Sequence, residues 1–392
     1  MSGGSLRLAR RLKEIEPFHV MAILARARAL EAQGRAIVHM EVGEPDFPTP
    51  EPIVAAGRQA LARGLTHYTA AVGLPELREA IAGWYAEHFS VTVDPDCILV
   101  TPGASGALQL VLAALVEPGS RVLMPDPGYP CNRHLVRLFE GEPVALGVKA
   151  RQGFVLANDQ VIRHWDARTR ALMVATPANP TGRILTLEQL RFLHQAVLAP
   201  GGALIVDEIY QGLVYGRAPE TALALGQENL FVVNSFSKYF GMTGWRLGWL
   251  VAPKALVPAL DRLAQNLFLA APTPAQHAAL AAFHPDTLAG LERRRRTFEA
   301  RRDFLYQALE ALGFVLHGKP EGAFYLYADV SAFTDDSFAL ARDLLEVAGV
   351  AVTPGRDFGD YRAERFIRFA YTTDMEALER GVEAIDTFLR KV

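Results

Sequence analysis

Short, almost wholly apolar runs recur between residues 97 and 252: CILVT at 97–101, RVLMP at 121–125, PVALGV at 143–148, ALMVAT at 171–176, ALIVDE at 203–208, LFVVNS at 230–235 and RLGWLVA at 246–252. Stretches with apolar residues at helical spacing separate them. Strands apolar on both faces must be covered on both sides, which predicts an α/β fold with a mostly parallel seven-stranded sheet between helices. Ligands of such sheets sit beyond the carboxyl ends of the strands, so candidate chemistry is sought there.

The flanks read differently. Residues 5–34 predict a polar arm, then a helix (HVMAILARARALEAQG) closed by Gly34. A short strand, AIVHMEV, leads into Gly43-Glu44-Pro45-Asp46-Phe47-Pro48-Thr49-Pro50, whose prolines forbid regular structure. A helix at 51–63 follows, then a loop bearing Tyr68 and Gly73 before an amphipathic helix. Beyond the sheet, helices are expected at 254–267 and 274–283, then a long basic helix at 285–313. Its Arg293 to Arg296 circle the helix instead of lining one face, which reads as solvated surface and not as a phosphate site. Strands near 323–328 and 366–371 with helices at 336–348 and 375–390 predict a smaller α+β domain. The expected division is 1–45 as an N-terminal arm and part of the small domain, 46–285 as the large domain and 286–392 as the small C-terminal domain.

Composition narrows the function more than the fold. A chain of 392 residues, 50% of them hydrophobic, can bury a large core and divide in two. A net charge of −3 gives no basic surplus for nucleic acid. Cys97 and Cys131 make neither a disulfide framework nor a metal-ligand spacing, which points to a reducing cytoplasm and to no metal. The opening MSGGSLRLARRLKEIEPF has basic residues but no apolar core like that of a signal peptide, and Glu14 and Glu16 argue against a transit peptide. The longest apolar stretches, such as ALQLVLAALV at 107–116, are too short for a bilayer, so no membrane partner is expected.

Polar residues follow the ends of several strands. After LFVVNS comes the turn Phe236-Ser237-Lys238, with Arg246 ahead of the next apolar run. A lysine flanked by hydroxyls and an arginine suits an aldehyde cofactor carrying a phosphate, since the amine can form a Schiff base and the other groups can hold a dianion. Alone, the same residues describe a polar loop with a solvated lysine. Pro102-Gly103-Ala104-Ser105-Gly106 opens a helix after CILVT, and bare amides at a helix start make an anion site. Neither a Walker loop nor GxGxxG occurs there. Asp207 at the end of ALIVD would be costly to bury without a cation, and a pyridinium nitrogen would supply one; a helix N-cap is its plainer reading. Asn179, ahead of Pro180, also reads as a turn residue.

Taken together, Gly43-Glu44-Pro45-Asp46, Tyr68, Gly103-Ala104-Ser105, Asn179-Pro180-Thr181-Gly182, Asp207 with Tyr210, SFSKYFGMTGWRLG at 235–248 and Arg368 resemble the class I and II pyridoxal-phosphate aminotransferases of fold type I. They occur in the family's order and span nearly the whole chain. The resemblance implies that Lys238 holds pyridoxal 5'-phosphate as a Schiff base and later shuttles the substrate proton. It implies that Asp207 binds the ring nitrogen, that Asn179 and Tyr210 hydrogen-bond the ring oxygen, and that Tyr129 stacks on the ring. Ala104, Ser105, Ser235, Ser237 and Arg246 would hold the phosphate, with Tyr68 reaching across a homodimer to the neighbouring site. Arg368 in RFIRFAYTT matches the clamp for the substrate carboxylate, with Gly43 allowing close backbone approach. Arg365 is its rival, but strand alternation puts the two on opposite faces.

Substrate choice is less legible. Some aspartate-specific relatives carry a lysine where Ser105 stands here, and Phe18-His19-Val20-Met21, which by resemblance lines the pocket, is mostly apolar. A neutral or aromatic amino-acid donor with 2-oxoglutarate or pyruvate as acceptor is expected, ahead of strict aspartate specificity. A carbon–sulfur β-lyase of the same fold would share every cofactor residue. A cofactor-sensing regulator would need a DNA-binding domain, for which the roughly forty residues before Gly43 leave little room. A nicotinamide dehydrogenase would need the phosphate fingerprint that is missing.

Overall fold

Alternation within the strands decides where the core lies. Leu123, Leu172, Val174, Leu204, Val206 and Val232 enter one buried cluster, whereas their neighbours Val122, Met124, Ala171, Met173, Ile205 and Val233 enter another. Both faces of the sheet are therefore apolar, as the uninterrupted runs require. The structure, a computed structural model, describes residues 6–391; residues 1–5, the start of the expected polar arm, lie outside the described residues.

The arm leads to α1 (His19–Glu31), β1 (Val38–His39), α2 (Glu51–Ala62) and α3 (Pro75–Phe89). Strands and helices then alternate through β2 (Ile98–Thr101), α4 (Gly103–Leu115), β3 (Arg121–Asp126), α5 (Pro130–Leu138), β4 (Glu142–Gly147), α6 (Asn158–His164), β5 (Thr169–Ala175), α7 (Leu187–Leu198), β6 (Ala203–Asp207), β7 (Leu230–Ser235) and β8 (Gly248–Val251). These strands form one seven-stranded sheet in the order β2-β8-β7-β6-β5-β3-β4. Only β8 runs against the rest, pairing antiparallel with β7 and β2. The carboxyl ends of β2, β3, β5, β6 and β7 consequently share one edge, where β8 begins.

After α8 (Val257–Leu267), α9 (Thr273–Leu280) and α10 (Pro285–Ala311), a four-stranded antiparallel sheet assembles in the order β12-β13-β10-β9. Its strands are β9 (Val315–Leu316), β10 (Tyr325–Asp329), β12 (Thr353–Pro354) and β13 (Phe366–Ala370), and α11 (Ser337–Asp343) and α12 (Met375–Leu389) complete the chain. The early β1 pairs parallel with β11 (Val350–Ala351) as a separate two-stranded sheet, which ties the N-terminal segment to the chain just ahead of β12.

Several boundaries differ from the sequence pattern for local reasons. The run beginning at Arg246 becomes a strand only at Gly248, because Arg246 adopts a left-handed φ of +56°. The run at 323 begins pairing at Tyr325 because Ala323 is left-handed as well. Within 336–348 the α-helix gives way to a π-turn at Leu344–Ala348. The arginine quartet is not uniformly solvated. Arg294 donates to the Pro48 carbonyl at 2.7 Å, and Arg295 to the Val214 carbonyl at 2.9 Å and to Glu292.

Candidate active site

The sheet edge places the strand-end residues around one cavity of about 250 Å³. Ala104 and Ser105 come from the first turn of α4, Tyr129 from the start of α5, Asn179 from the loop after β5, and Asp207 from the end of β6. Ser235 closes β7, and Ser237 and Lys238 follow it. Gly248, the first residue of β8, has to be glycine: a Cβ there would stand 2.7 Å from the Asn234 carbonyl oxygen and 2.8 Å from the Ala104 nitrogen. That close approach lets β8 run directly beneath the start of α4 and brings Arg246 to the rim of the cavity.

Lys238 donates to the Gly43 carbonyl at 2.7 Å. Enclosure lowers its pKa to about 8, helped by the guanidiniums of Arg368 and Arg246 and opposed by Glu44 and Asp207. The amine is thus readily available as a neutral nucleophile. Asp207 is 4% exposed and accepts one backbone hydrogen bond, from Ile209 at 3.1 Å. Burial pushes its carboxyl up to about 6, against the pull of that amide and of Lys238. A carboxylate in such a place lacks a close cationic partner.

The hydroxyls near α4 form a second group. Ser235 Oγ accepts from the Ser237 amide at 3.0 Å, and Thr243 Oγ1 donates to the Ser237 carbonyl at 2.9 Å, which fixes the turn that carries Lys238. The Arg246 guanidinium lies against Gly103 at the α4 start. Bare amides, three hydroxyls and a guanidinium converge there, a donor set suited to a phosphate dianion.

Arg368, 2% exposed on β13, donates to Asn179 Oδ1 at 2.9 Å and to the Glu41 carbonyl, while its Nε has no partner in the protein. A buried guanidinium with an idle donor beside the cavity is matched to a carboxylate. Arg365 lies outside β13, at the end of the 3-10 turn Ala363–Arg365, and does not line the cavity, donating instead to Ser331 at 2.6 Å; the separation of the two arginines comes from that turn and not from alternation within a strand. Phe18, Val20 and Met21 line the cavity, with Phe18 edge-on to Tyr129 at 6.2 Å. Asp357 accepts from the His19 and Val20 amides at 3.0 and 3.3 Å and so fastens the start of α1. Tyr68 is not brought to this cavity. It is 82% exposed beside a separate hollow with Thr273 and His277.

One prominent residue escaped the sequence reading. Tyr325 on β10 has its hydroxyl 2.8 Å from that of Tyr210 and its ring 4.3 Å from the Arg368 guanidinium. A side chain at Gly43 would collide with the Tyr325 hydroxyl, so within this chain it is a tyrosine that enforces the glycine. The only sequence signal was an aromatic in an apolar strand, which packing alone would explain.

The family model for aminotransferase class I and II matches residues 35–385. The chain belongs to this family. It is 38% identical to a valine–pyruvate aminotransferase of Mycobacterium tuberculosis, covering 96% of this chain and 97% of the relative. It is 35% identical to an aspartate/prephenate aminotransferase of Thermus thermophilus, over 96% and 97% of the two chains. The crystal structure of an aminotransferase from Mycobacterium tuberculosis superposes with a TM-score of 0.95 at 37% identity, covering 99% of this chain and 100% of that one. This enzyme is accordingly an aminotransferase, which moves an amino group to a 2-oxo acid, and it has the α/β fold with a mostly parallel seven-stranded sheet. Among the described residues no helix is long and apolar enough to cross a membrane, and no cluster of His, Cys, Asp and Glu could hold a metal.

Proposed function

We propose that the enzyme uses pyridoxal 5'-phosphate to transfer the amino group of a neutral or aromatic α-amino acid to a 2-oxo acid such as 2-oxoglutarate or pyruvate. The observation that carries this is the buried Asp207 lacking a close cation, facing the same cavity as a lysine of lowered pKa and an anion cradle at the α4 start. Ala104, Ser105, Ser235, Ser237 and Arg246 would hold the phosphate, Asn179 and Tyr210 the ring oxygen, and Tyr129 the ring face. When bound, the group supplies an electron sink for the pair released at the substrate α-carbon. Asp207 keeps a proton on the ring nitrogen, and Lys238 takes and returns the substrate's α-proton. Arg368, oriented by Asn179, binds the α-carboxylate, with Gly43 on the same wall.

The donor preference rests on the remaining surface. Phe18, Val20, Met21 and Leu108 are apolar, and with Lys238, Arg246 and Arg368 each given a role, no further cation lines the cavity among the described residues. The Mycobacterium relative named for valine and pyruvate supports a neutral donor. We further read the chain as a cytoplasmic homodimer with shared sites, Tyr68 reaching the partner's phosphate, and divided into 1–45, 46–285 and 286–392. The 82% exposure of Tyr68 supports a partner there.

The test is the visible absorption of the holoenzyme mixed with single amino acids and no keto acid. Valine, leucine or phenylalanine should bleach the cofactor band at lower concentration than aspartate does. Aspartate favoured over every neutral donor would refute the preference, and ammonia released without an acceptor would identify a β-lyase instead. A second expectation concerns the two arginines. Arg368→Lys loses a planar fork in a buried site and should raise the donor KM roughly 10- to 100-fold. Arg365→Lys, away from the cavity, should stay within about twofold. Steady-state kinetics in the reverse order would show that the clamp was assigned to the wrong residue.

A further inference from the structure

A second cavity lies apart from the active site and shares no lining residue with it. It measures about 530 Å³ and lies where the segment after β4 meets the edge of the four-stranded sheet. Its floor is aromatic: Phe154 and Phe366 line it, edge-on to each other at 5.8 Å, and Phe366 is backed by the buried Tyr327, stacked on it at 4.7 Å with the planes 10° apart. Its rim is cationic. Lys149 and Arg151 stand on the large-sheet side, Arg362 and Arg365 on the segment feeding β13. Among the described residues Lys149, Arg151 and Arg362 form no ion pair with any carboxylate, and the acidic residue lining the cavity, Asp329, is already engaged by Arg365 at 3.4 Å. His317, on the same wall, has a buried Nε2 with no hydrogen-bond partner, 3.8 Å from Asp329.

Cations gathered around an apolar hollow without carboxylate partners give it a positive potential, while the aromatic faces of its floor are poorly hydrated. A ligand that places an anion among Lys149, Arg151 and Arg362 and a flat apolar body on Phe154 and Phe366 relieves both conditions at once. From this geometry we infer that the cavity is a second ligand site, for a small organic anion such as an aryl carboxylate. An inorganic anion would satisfy the rim but leave the floor bare. The assignment is independent of the cofactor and the donor, because none of these residues lines the active site.

The probe is 8-anilinonaphthalene-1-sulfonate, which joins an anion to an aromatic body and fluoresces in apolar surroundings. Titrated into the holoenzyme, it should bind saturably, more weakly as salt is raised. The double variant Lys149→Glu, Arg362→Glu changes two exposed side chains and should weaken binding at least about tenfold. Ala332→Trp, which fills the hollow without altering charge, should weaken it to a similar degree. Benzoate should displace the probe at a lower concentration than inorganic phosphate does. Absence of saturable fluorescence, binding untouched by either variant, or phosphate displacing as well as benzoate would each overturn the assignment.

Discussion

Replacing Lys238 with alanine is expected to lower turnover by at least about 10,000-fold while the protein folds as before, since the proposed function assigns one amine the roles of both nucleophile and general base. Beyond its bond to the Gly43 carbonyl, the amine only stands 5.9 Å from the ring centroids of Tyr210 and Phe324. Its pKa in the folded protein, about 8, lies below the ordinary lysine value, so the protonated amine is disfavoured in the native state. That penalty is fully present below pH about 8 and vanishes as pH rises through the unfolded value of 10.5. Lys238→Ala should therefore melt at the same temperature as the parent or higher at neutral pH, by calorimetry of the cofactor-free protein. The same shift makes the neutral amine roughly 300-fold more abundant at pH 7 than for an ordinary lysine. Acylation of Lys238 in the cofactor-free protein, followed by peptide mass mapping, should have its midpoint near pH 8. Substantial turnover in Lys238→Ala, or a midpoint above 10, would remove the lysine from the centre of the site.

The residues that sequence made legible are those whose placement follows from strand ends. Ser105, Asn179, Asp207 and Lys238 each sit within a few positions of an apolar run, and a parallel sheet delivers all such ends to one edge. The opposed direction of β8 was not legible, because an apolar run carries no arrow; the pairing of Ser235 with Gly248 decides it. Partners joined only by the tertiary fold were equally silent. Arg301, within the long basic helix, is 4% exposed and grips Asp46 with two bonds of 2.8 Å, pinning the proline-rich segment beside the site. Glu208, next to Asp207 in the run ALIVDE, points away from the cavity and binds the Ala222 amide, Thr221 and Gln211. Two adjacent acidic residues thus part, Asp207 towards the cavity and Glu208 towards the turn at Thr221, because successive side chains of extended backbone face opposite sides.

For Asp207→Asn, stability and activity should move in opposite directions. The carboxyl is buried with one amide donor, and its pKa rises from 3.8 to about 6, so the ionised form costs the folded state free energy. The cost appears as pH climbs above 3.8, is complete above about 6, and amounts to about 2–3 kcal/mol. Asparagine keeps an oxygen for the Ile209 amide and carries no charge. The cofactor-free variant should therefore be more stable than its parent at pH 8 by about that amount, with the gain fading towards pH 4. Turnover should fall about 100- to 1,000-fold, because asparagine cannot hold a proton on a ring nitrogen as a carboxylate does. If Asp207 were only a turn cap, asparagine would serve equally well, and activity would survive the change. Denaturant titrations at the two pH values, set beside kcat, separate the two roles: loss of activity together with gained stability marks a charge that the fold tolerates for the sake of its ligand.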